Sequence, residues 1–193
     1  MRSVPSSSRT RQRPLQGLVL ATLVATAGCS FFSSDPRIRS PGTIVSDAFL
    51  EDRVAADIRR SDPGFASAHL VAVSYNRILL LAGQVGTQTL RAKAQTLAKN
   101  IPKVRSVHNA LTVGGPISYV ARANDSWLTT KVKTRLFAGR ETAARKLKVV
   151  TENGIVYLMG KLPRKEADAA ADTARRVYGV QQIVKVFEYL ADE

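Results

Sequence analysis

The apolar positions of this chain follow one order of periodicities that occurs twice. Two sets of apolar residues recur every four positions, and each predicts a helix with one buried face. The sets are Leu50, Val54 and Ile58, and Leu128, Val132 and Leu136. Two short apolar and β-branched runs follow each helix and predict a hairpin. They cover residues 70–74 and 78–82 in the first copy, and residues 147–151 and 155–159 in the second.

A second helix and a last strand complete each copy. The helix spacing is carried by Leu90, Ala94, Leu97 and Ile101, and then by Ala167, Ala171, Ala174 and Tyr178. The many alanines indicate a helix that lies close to a sheet. The last strands are predicted at residues 104–113 and 180–190. The fold class is therefore α+β, with two tandem α-β-β-α-β domains, each a three-stranded sheet packed against two helices.

The residues themselves repeat as well as the pattern. Residues 47–54 align with residues 125–132, so that Phe49 matches Trp127, and residues 70–83 align with residues 147–160. In the second copy the two strands flank Asn153-Gly154, a strong hairpin signal because both residues tolerate positive φ. The sequence predicts two copies of one small domain, each modestly stable and helped by its neighbour.

The N-terminal region has the features of a lipoprotein signal peptide. Residues 1–14 contain four arginines and no acid, residues 15–27 are apolar or small except for Gln16, and Cys29 is the only cysteine. The apolar run is shorter than the roughly 20 residues that a membrane-spanning helix needs. Residues 26–29 resemble the bacterial lipobox, although Thr26 stands where Leu is usual. We expect cleavage before Cys29 and acylation of its thiol; the alternative is a buried thiol behind an ordinary signal peptide.

These features divide the chain into five segments. They are a signal peptide (1–28), a lipidated N-terminus with a flexible tether (29–43), a first domain (44–113), a linker (114–123) and a second domain (124–193). The full chain carries a net charge of +14, and removal of the four signal arginines leaves +10. An exported lipoprotein meets much anionic lipid and little nucleic acid, so the compartment makes anionic phospholipid the expected partner and excludes nucleic acid.

The first helix of the second domain is the candidate lipid-binding element. A helical wheel places six residues off its buried face. They are Trp127, Thr130, Lys131, Lys133, Thr134 and Phe137. The first domain has acids where this helix has neutral or basic residues: Glu51, Asp52 and Asp57 match Thr129, Thr130 and Arg135. Cations with an interfacial Trp suit an anionic bilayer, and acids oppose it. The alternative places Trp127 in the core and the lysines on an ordinary solvated face.

Other chemistry has little support in the sequence. His69 and His108 lack a cysteine or spaced carboxylate partner, so we expect no metal or cofactor. Asp168 and Asp172 share one helix face but have no partnered base, and they fit a solvated surface. The sequence has no nucleophile motif, so we expect no enzymatic activity.

The repeated unit resembles the BON domain, named for bacterial osmotic-shock and nodulation proteins. The resemblance is carried by the α-β-β-α-β order and by the glycine that closes the second strand, Gly83 and Gly160. It is most specific at residues 124–132 and 151–160. Two BON domains behind a lipobox imply an outer-membrane lipoprotein on the periplasmic face that binds anionic phospholipid, acts at division sites and supports envelope integrity. Ser30, after the cysteine, implies sorting to the outer membrane.

A second function remains open. The protein is alternatively a structural adaptor whose ligand is another envelope protein, such as an outer-membrane assembly machine, or a cell-wall polymer. Binding of the mature chain to anionic vesicles separates the two readings.

Overall fold

The computed structural model describes Asp35, residues 37–139 and residues 144–191. The predicted signal peptide, the predicted acylation site Cys29 and residues 30–34 and 36 of the predicted tether lie outside the described residues.

The first copy contains two helices and a mixed sheet. Its elements are α1 (Pro41–Ser61), β1 (His69–Tyr75), β2 (Ile78–Val85), α2 (Gln88–Asn100), β3 (Ser106–Asn109) and β4 (Thr112–Val113), with a short 3₁₀ helix at Pro63–Phe65. β1 is antiparallel to β2, whereas β3 and β4 both run parallel to β2. The predicted last strand is thus divided in two, because Leu111 turns into the core beneath the helices between the two parts.

The second copy has the same order with an uninterrupted last strand. Its elements are α3 (Tyr119–Ala138), β5 (Lys148–Glu152), β6 (Ile155–Pro163), α4 (Arg164–Arg175) and β7 (Gln182–Leu190), with a 3₁₀ helix at Ala144–Lys146. β5 is antiparallel and β7 parallel to β6. The predicted α+β class with tandem α-β-β-α-β domains is confirmed.

Both leading helices begin earlier than the sequence analysis expected. α1 starts at Pro41, inside the segment assigned to the tether, and α3 starts at Tyr119, inside the segment assigned to the linker. Ser40 caps α1 by accepting a hydrogen bond from Thr43 N, with proline at the first helical position. Ser118 caps α3 in the same way. Serine before a helix and proline inside its first turn are helix-start signals, although both residues are also common in turns.

The two sheets face each other and form a four-layer α/β/β/α sandwich. Side chains alternate along each strand, so Leu79 and Leu81 pack beneath the helices while Leu80 and Ala82 point the other way. A shared cluster fills the space between the sheets. Its buried members are Val73, Tyr75, Leu80, Ala82, Tyr157, Met159 and Val186. The strands read as continuous apolar runs because both of their faces are buried.

Polar contacts at the edges of the sandwich also join the two domains. Lys148 Nζ pairs with the carboxylate of Glu51, and Arg105 Nη1 lies 2.9 Å from Glu188 Oε2. Tyr75 Oη donates to the carbonyl of Lys146 at 2.7 Å. The helical layers α1/α2 and α3/α4 therefore form opposite outer surfaces of one packed unit.

One aspartate in each copy fixes the hairpin turn. The Asp47 carboxylate accepts hydrogen bonds from the backbone N–H of Asn76 at 2.8 Å and of Arg77 at 2.9 Å. It also accepts from Ser74 Oγ and from Arg39. Burial alone would raise the pKa of Asp47, but these hydrogen bonds to the charged form outweigh burial and lower it.

Asp125 has the same role in the second copy. It is buried, and it accepts from Asn153 N at 2.8 Å and from Gly154 N at 2.9 Å. The aspartate at the start of each repeated helix segment therefore has a structural function: it satisfies two turn amides that would otherwise lack partners.

The structure places Gly83 and Gly160 inside β2 and β6, and not at the ends of these strands as the sequence predicted. Close approach of neighbouring atoms explains the glycine in both copies. Gly83 has φ +108°, and a Cβ there would overlap the carbonyl oxygen of His69 on β1. A Cβ on Gly160 would come within 2.7 Å of Leu147 Cδ2. A side chain at Gly83 would therefore overlap the backbone of β1, whereas one at Gly160 would require the side chain of Leu147, just before β5, to move.

The Asn153-Gly154 turn leads to a stability prediction. Both residues have positive φ, +50° and +73°, as the sequence predicted for this turn. Gly154→Val should destabilise the protein by about 1–3 kcal/mol, because a β-branched residue resists this backbone region. Gly154→Asn is the matched control, since asparagine tolerates positive φ, and it should lose much less. Thermal unfolding of both variants measures the difference; equal losses would contradict this explanation.

Candidate membrane-binding face

The exposed side of α3 carries the residues that the sequence analysis selected. Leu128, Val132 and Leu136 are buried against the sheet, which fixes the orientation of the helix. Trp127 is 61% exposed and Phe137 is 59% exposed. The alternative that places Trp127 in the core is therefore wrong. The remaining four predicted residues also reach the surface: Thr130, Lys133 and Thr134 are exposed, and Lys131 is half-buried.

A groove runs between α3 and the turn that follows α4. It encloses about 520 Å³. Its lining consists of Trp127, Thr130, Lys131, Thr134, Arg135, Ala138, Arg176 and Val177. Four of the six predicted residues thus share one depression. Lys133 and Phe137 do not line it, because the 100° step of the helix turns them to the other flank of the exposed face.

Tyr178 is the main residue of this region that the sequence analysis assigned wrongly. Its spacing from Ala174 placed it on the buried face of the second helix, but α4 ends at Arg175 and Tyr178 is 93% exposed. Gly179, at φ +101°, lies just beyond the helix end. The C-cap of α4 is Arg176, so Gly179 belongs to the turn that follows the helix, and as a turn signal it could have identified that turn.

The turn is held against α3 by a hydrogen bond. Lys131 Nζ donates to the carbonyl oxygen of Tyr178 at 3.0 Å, and the ammonium lies 5.9 Å from the centroid of the Tyr178 ring. Lys133, Arg135 and Arg176 are exposed around this contact. The face therefore combines aromatic side chains, hydroxyl groups and cations, which is the combination that an anionic bilayer surface favours.

The first domain has an equivalent groove with a different charge pattern. It encloses about 480 Å³ beside Phe49, which is 72% exposed. Arg53 stands at the position of Lys131, but Asp52 is exposed where the second domain has Thr130. Asp57 lies 2.7 Å from Arg60 and replaces Arg135. Both domains expose an aromatic side chain beside a groove, so this feature does not distinguish them. The acids Asp52 and Asp57 on α1 are the difference between the two faces.

Glu51 does not contribute to this difference in charge between α1 and α3, so the expectation that it opposes membrane binding is wrong. Its carboxylate is half-buried, pairs with Lys148 of the second domain and accepts from the backbone N–H of Ser74. It stabilises the domain interface instead of facing solvent. Thr129, at the matching position of α3, likewise points to the neighbouring strand and bonds to Thr151 Oγ1 at 2.7 Å.

Three of the remaining candidates, His69, Asp168 and Asp172, have structural partners. His69 Nε2 lies 3.2 Å from the buried carboxylate of Glu152, and burial lowers the pKa of His108. Asp168 and Asp172 form ion pairs with Lys185 and Arg175. Among residues 37–139 and 144–191, no group of three potential ligands from His, Cys, Asp and Glu could hold a metal ion. Within the same ranges, no helix has both the length and the apolar character needed to cross a membrane.

Known proteins resemble this chain over most of its length. Residues 46–115 and 124–191 each match the BON domain. The outer membrane lipoprotein DolP of Haemophilus influenzae is 39% identical over 176 residues, which cover 91% of this chain and 90% of that protein. The 21 kDa hemolysin of Actinobacillus pleuropneumoniae is 40% identical over 81% of this chain and 79% of its own length. Osmotically-inducible protein Y of Escherichia coli K12 is 26% identical over 77% of this chain and 75% of its own.

The repeated fold and these matches define the class: the chain belongs to the BON domain family and carries two BON domains in tandem. Its similarity to DolP covers 91% of the chain, and it is a DolP-like lipoprotein of the outer membrane. The family and the location expected from the sequence are confirmed. Acylation at Cys29 and lipid contact through α3 stay predictions.

Proposed function

We propose that this protein is a non-catalytic, membrane-tethered module that binds anionic phospholipid through α3 of its second BON domain. The observation that carries the proposal is Trp127: a tryptophan with 61% exposure beside a groove ringed by cations. Through this contact the protein supports envelope integrity, at division sites as the family resemblance implies.

The shape of α3 supports a helix that lies along the surface. Tyr119 and Val120 near its start are highly exposed, and so are Trp127 near the middle and Phe137 near the end. At 1.5 Å per residue these side chains extend over about 27 Å. Such a stripe with flanking cations lies in the plane of an interface, with its aromatic groups at headgroup depth. Each nearby Lys or Arg adds about 1 kcal/mol of attraction to an anionic surface.

Vesicle sedimentation of the unacylated mature chain tests the proposal. We expect binding to vesicles of mixed phosphatidylglycerol and phosphatidylcholine, and little binding to phosphatidylcholine alone. Lys131→Glu with Lys133→Glu should abolish this binding without unfolding the protein, since neither side chain belongs to the core. Binding should weaken as salt rises, because the Debye length falls from about 10 Å at 0.1 M to about 3 Å at 1 M. No preference for anionic vesicles at low salt would overturn the lipid assignment.

The anchor gives a separate prediction at Cys29. Acyl chains contribute about 0.8 kcal/mol for each buried CH₂, and more than one chain gives lasting attachment. Cys29→Ser should move the protein from the outer-membrane fraction to the soluble periplasmic fraction, as measured by fractionation and immunoblotting. A variant that is processed normally and remains in the membrane fraction would show that acylation is not the anchor.

A second candidate function is that of an adaptor for another envelope protein, such as an outer-membrane assembly machine, or for a cell-wall polymer. The groove beside Phe49 favours it, because Val45 and Phe49 expose apolar surface on the outer layer opposite to α3. Lipid and adaptor functions would then use different faces. Loss of envelope integrity on substitution of Phe49, with vesicle binding intact, would support this second function.

A further inference from the structure

The turn after α4 presents an unusually exposed aromatic side chain. Tyr178 has 93% of its surface open to solvent, and Arg176 beside it is also exposed. Val177 is half-buried and lines the groove with Arg176 opposite Trp127. Apart from the Lys131 ammonium, 5.9 Å from the centroid of its ring, the Tyr178 side chain makes little contact with the fold. Tyrosine is enriched where one end of the ring is apolar and the other is wet.

The turn has a defined position relative to α3. The hydrogen bond from Lys131 to the Tyr178 carbonyl ties it to the helix one turn from Trp127. Gly179 supplies the left-handed backbone that the turn requires. A Cβ at this glycine would lie 3.5 Å from Leu128 Cδ1 and 3.7 Å from Lys131 Nζ, so the turn packs closely on the helix.

The first domain has the same turn without the aromatic residue. Pro102 and Lys103 occupy the positions of Tyr178 and Gly179, and Lys103 adopts the left-handed conformation at φ +76°. The backbone geometry is therefore common to both copies. The exposed tyrosine is specific to the copy whose helix carries Trp127 and the cations.

We propose that the turn Arg176–Gly179 is a second membrane-contacting element, in which Tyr178 enters the interface beside Trp127 and Lys131 positions the turn. This inference rests on the proposed lipid binding and refines it. Lys131 is then a positioning residue that acts through the Tyr178 carbonyl, and the exposed cations Lys133, Arg135 and Arg176 meet the lipid phosphates. The partner is the headgroup region of an anionic bilayer.

A tryptophan placed on the turn reports directly whether the turn enters the membrane. The chain has one tryptophan, so Trp127→Phe with Tyr178→Trp moves the only indole to the turn. On vesicles of phosphatidylglycerol and phosphatidylcholine with brominated acyl chains, its emission should shift to the blue and be quenched. Trp127→Phe with Phe49→Trp is the matched control on the opposite outer layer and should show neither change. Unshifted, unquenched emission from the turn of a bound protein would overturn the proposal.

The affinity of substituted chains tests the role of Lys131. Tyr178→Ser should weaken binding to these vesicles about three- to tenfold, the effect of losing one aromatic anchor. Lys131→Met should weaken it similarly, and the double variant should be no weaker than either single variant, because both changes remove the same element. All three should melt within about 2 °C of the wild type, since Tyr178 is exposed, Lys131 lies outside the core, and substitutions at such positions have small effects on stability.

The outcomes separate this inference from the proposed function. If the wild type binds anionic vesicles and Tyr178→Ser binds them equally well, the inference is overturned but the proposed function stands. In another outcome, the double variant loses affinity by the product of the two single losses, and the loss from Lys131→Met is absent at high salt. That result would show that Lys131 binds phosphate directly and would overturn its positioning role. Absence of wild-type binding to anionic vesicles overturns both.

Discussion

Replacing Asp125 by alanine should lower the melting temperature of the protein by about 10 °C. The buried carboxylate accepts from the backbone N–H of Asn153 and of Gly154. Its removal leaves two turn amides without partners, at about 1–3 kcal/mol each. A loss of about 3–4 kcal/mol corresponds to roughly 10 °C for a cooperative unit of this size. Thermal unfolding followed by circular dichroism measures the shift.

Asp172→Ala is the control for this substitution. Asp172 lies on the exposed face of α4 and pairs only with Arg175 in the described structure, at 2.6 Å. Exposed ion pairs of this kind contribute about 0.3–0.5 kcal/mol. Its melting temperature should therefore stay close to that of the wild type. If Asp125→Ala and Asp172→Ala have the same melting temperature, the Asp125 carboxylate does not fix the hairpin.

Replacing Trp127 by glutamate should weaken binding to anionic vesicles about a hundredfold. The change removes an interfacial aromatic side chain and adds a charge that the lipid phosphates repel, a combined cost of about 3 kcal/mol. The fold should survive because the side chain already projects into solvent. Sedimentation with vesicles of phosphatidylglycerol and phosphatidylcholine measures the loss.

Phe49→Glu is the matched control, since Phe49 occupies the equivalent position on α1 and is at least as accessible as Trp127. It should leave lipid binding intact, because α1 lies on the opposite outer layer of the sandwich. Loss of binding from Phe49→Glu alone, or full binding by Trp127→Glu, would reject α3 as the membrane contact.

Local signals in the sequence were sufficient for the internal architecture of each domain. The four-residue spacing of Leu128, Val132 and Leu136 predicted the buried face of α3 and therefore the exposure of Trp127. Asn153-Gly154 predicted the hairpin turn because the required backbone conformation suits these residue types. Each of these features depends on residues close together in the chain, which is where sequence patterns are most informative.

Features that depend on contacts between distant residues could not be predicted. The apolar runs of β2 and β6 predicted strands of a sheet packed against helices, but nothing in them identified the other sheet as the layer that covers the opposite face. Glu51 appeared as a surface acid because its partner, Lys148, is remote in sequence. Tyr178 continues the helical spacing of α4 in the sequence, but the helix ends at Arg175, three residues before it.

The sheet-to-sheet core has a consequence for how this protein responds to concentration. An isolated copy of the domain would expose the apolar side of its sheet and would need a second molecule to cover it, so its folding would depend on the amount of protein present. Because two copies are joined in one chain, each sheet always has a second sheet available to cover its apolar side, at a fixed ratio of one to one. A scarce protein anchored to a membrane can then fold without first finding a partner, and each copy is free to acquire a different outer surface.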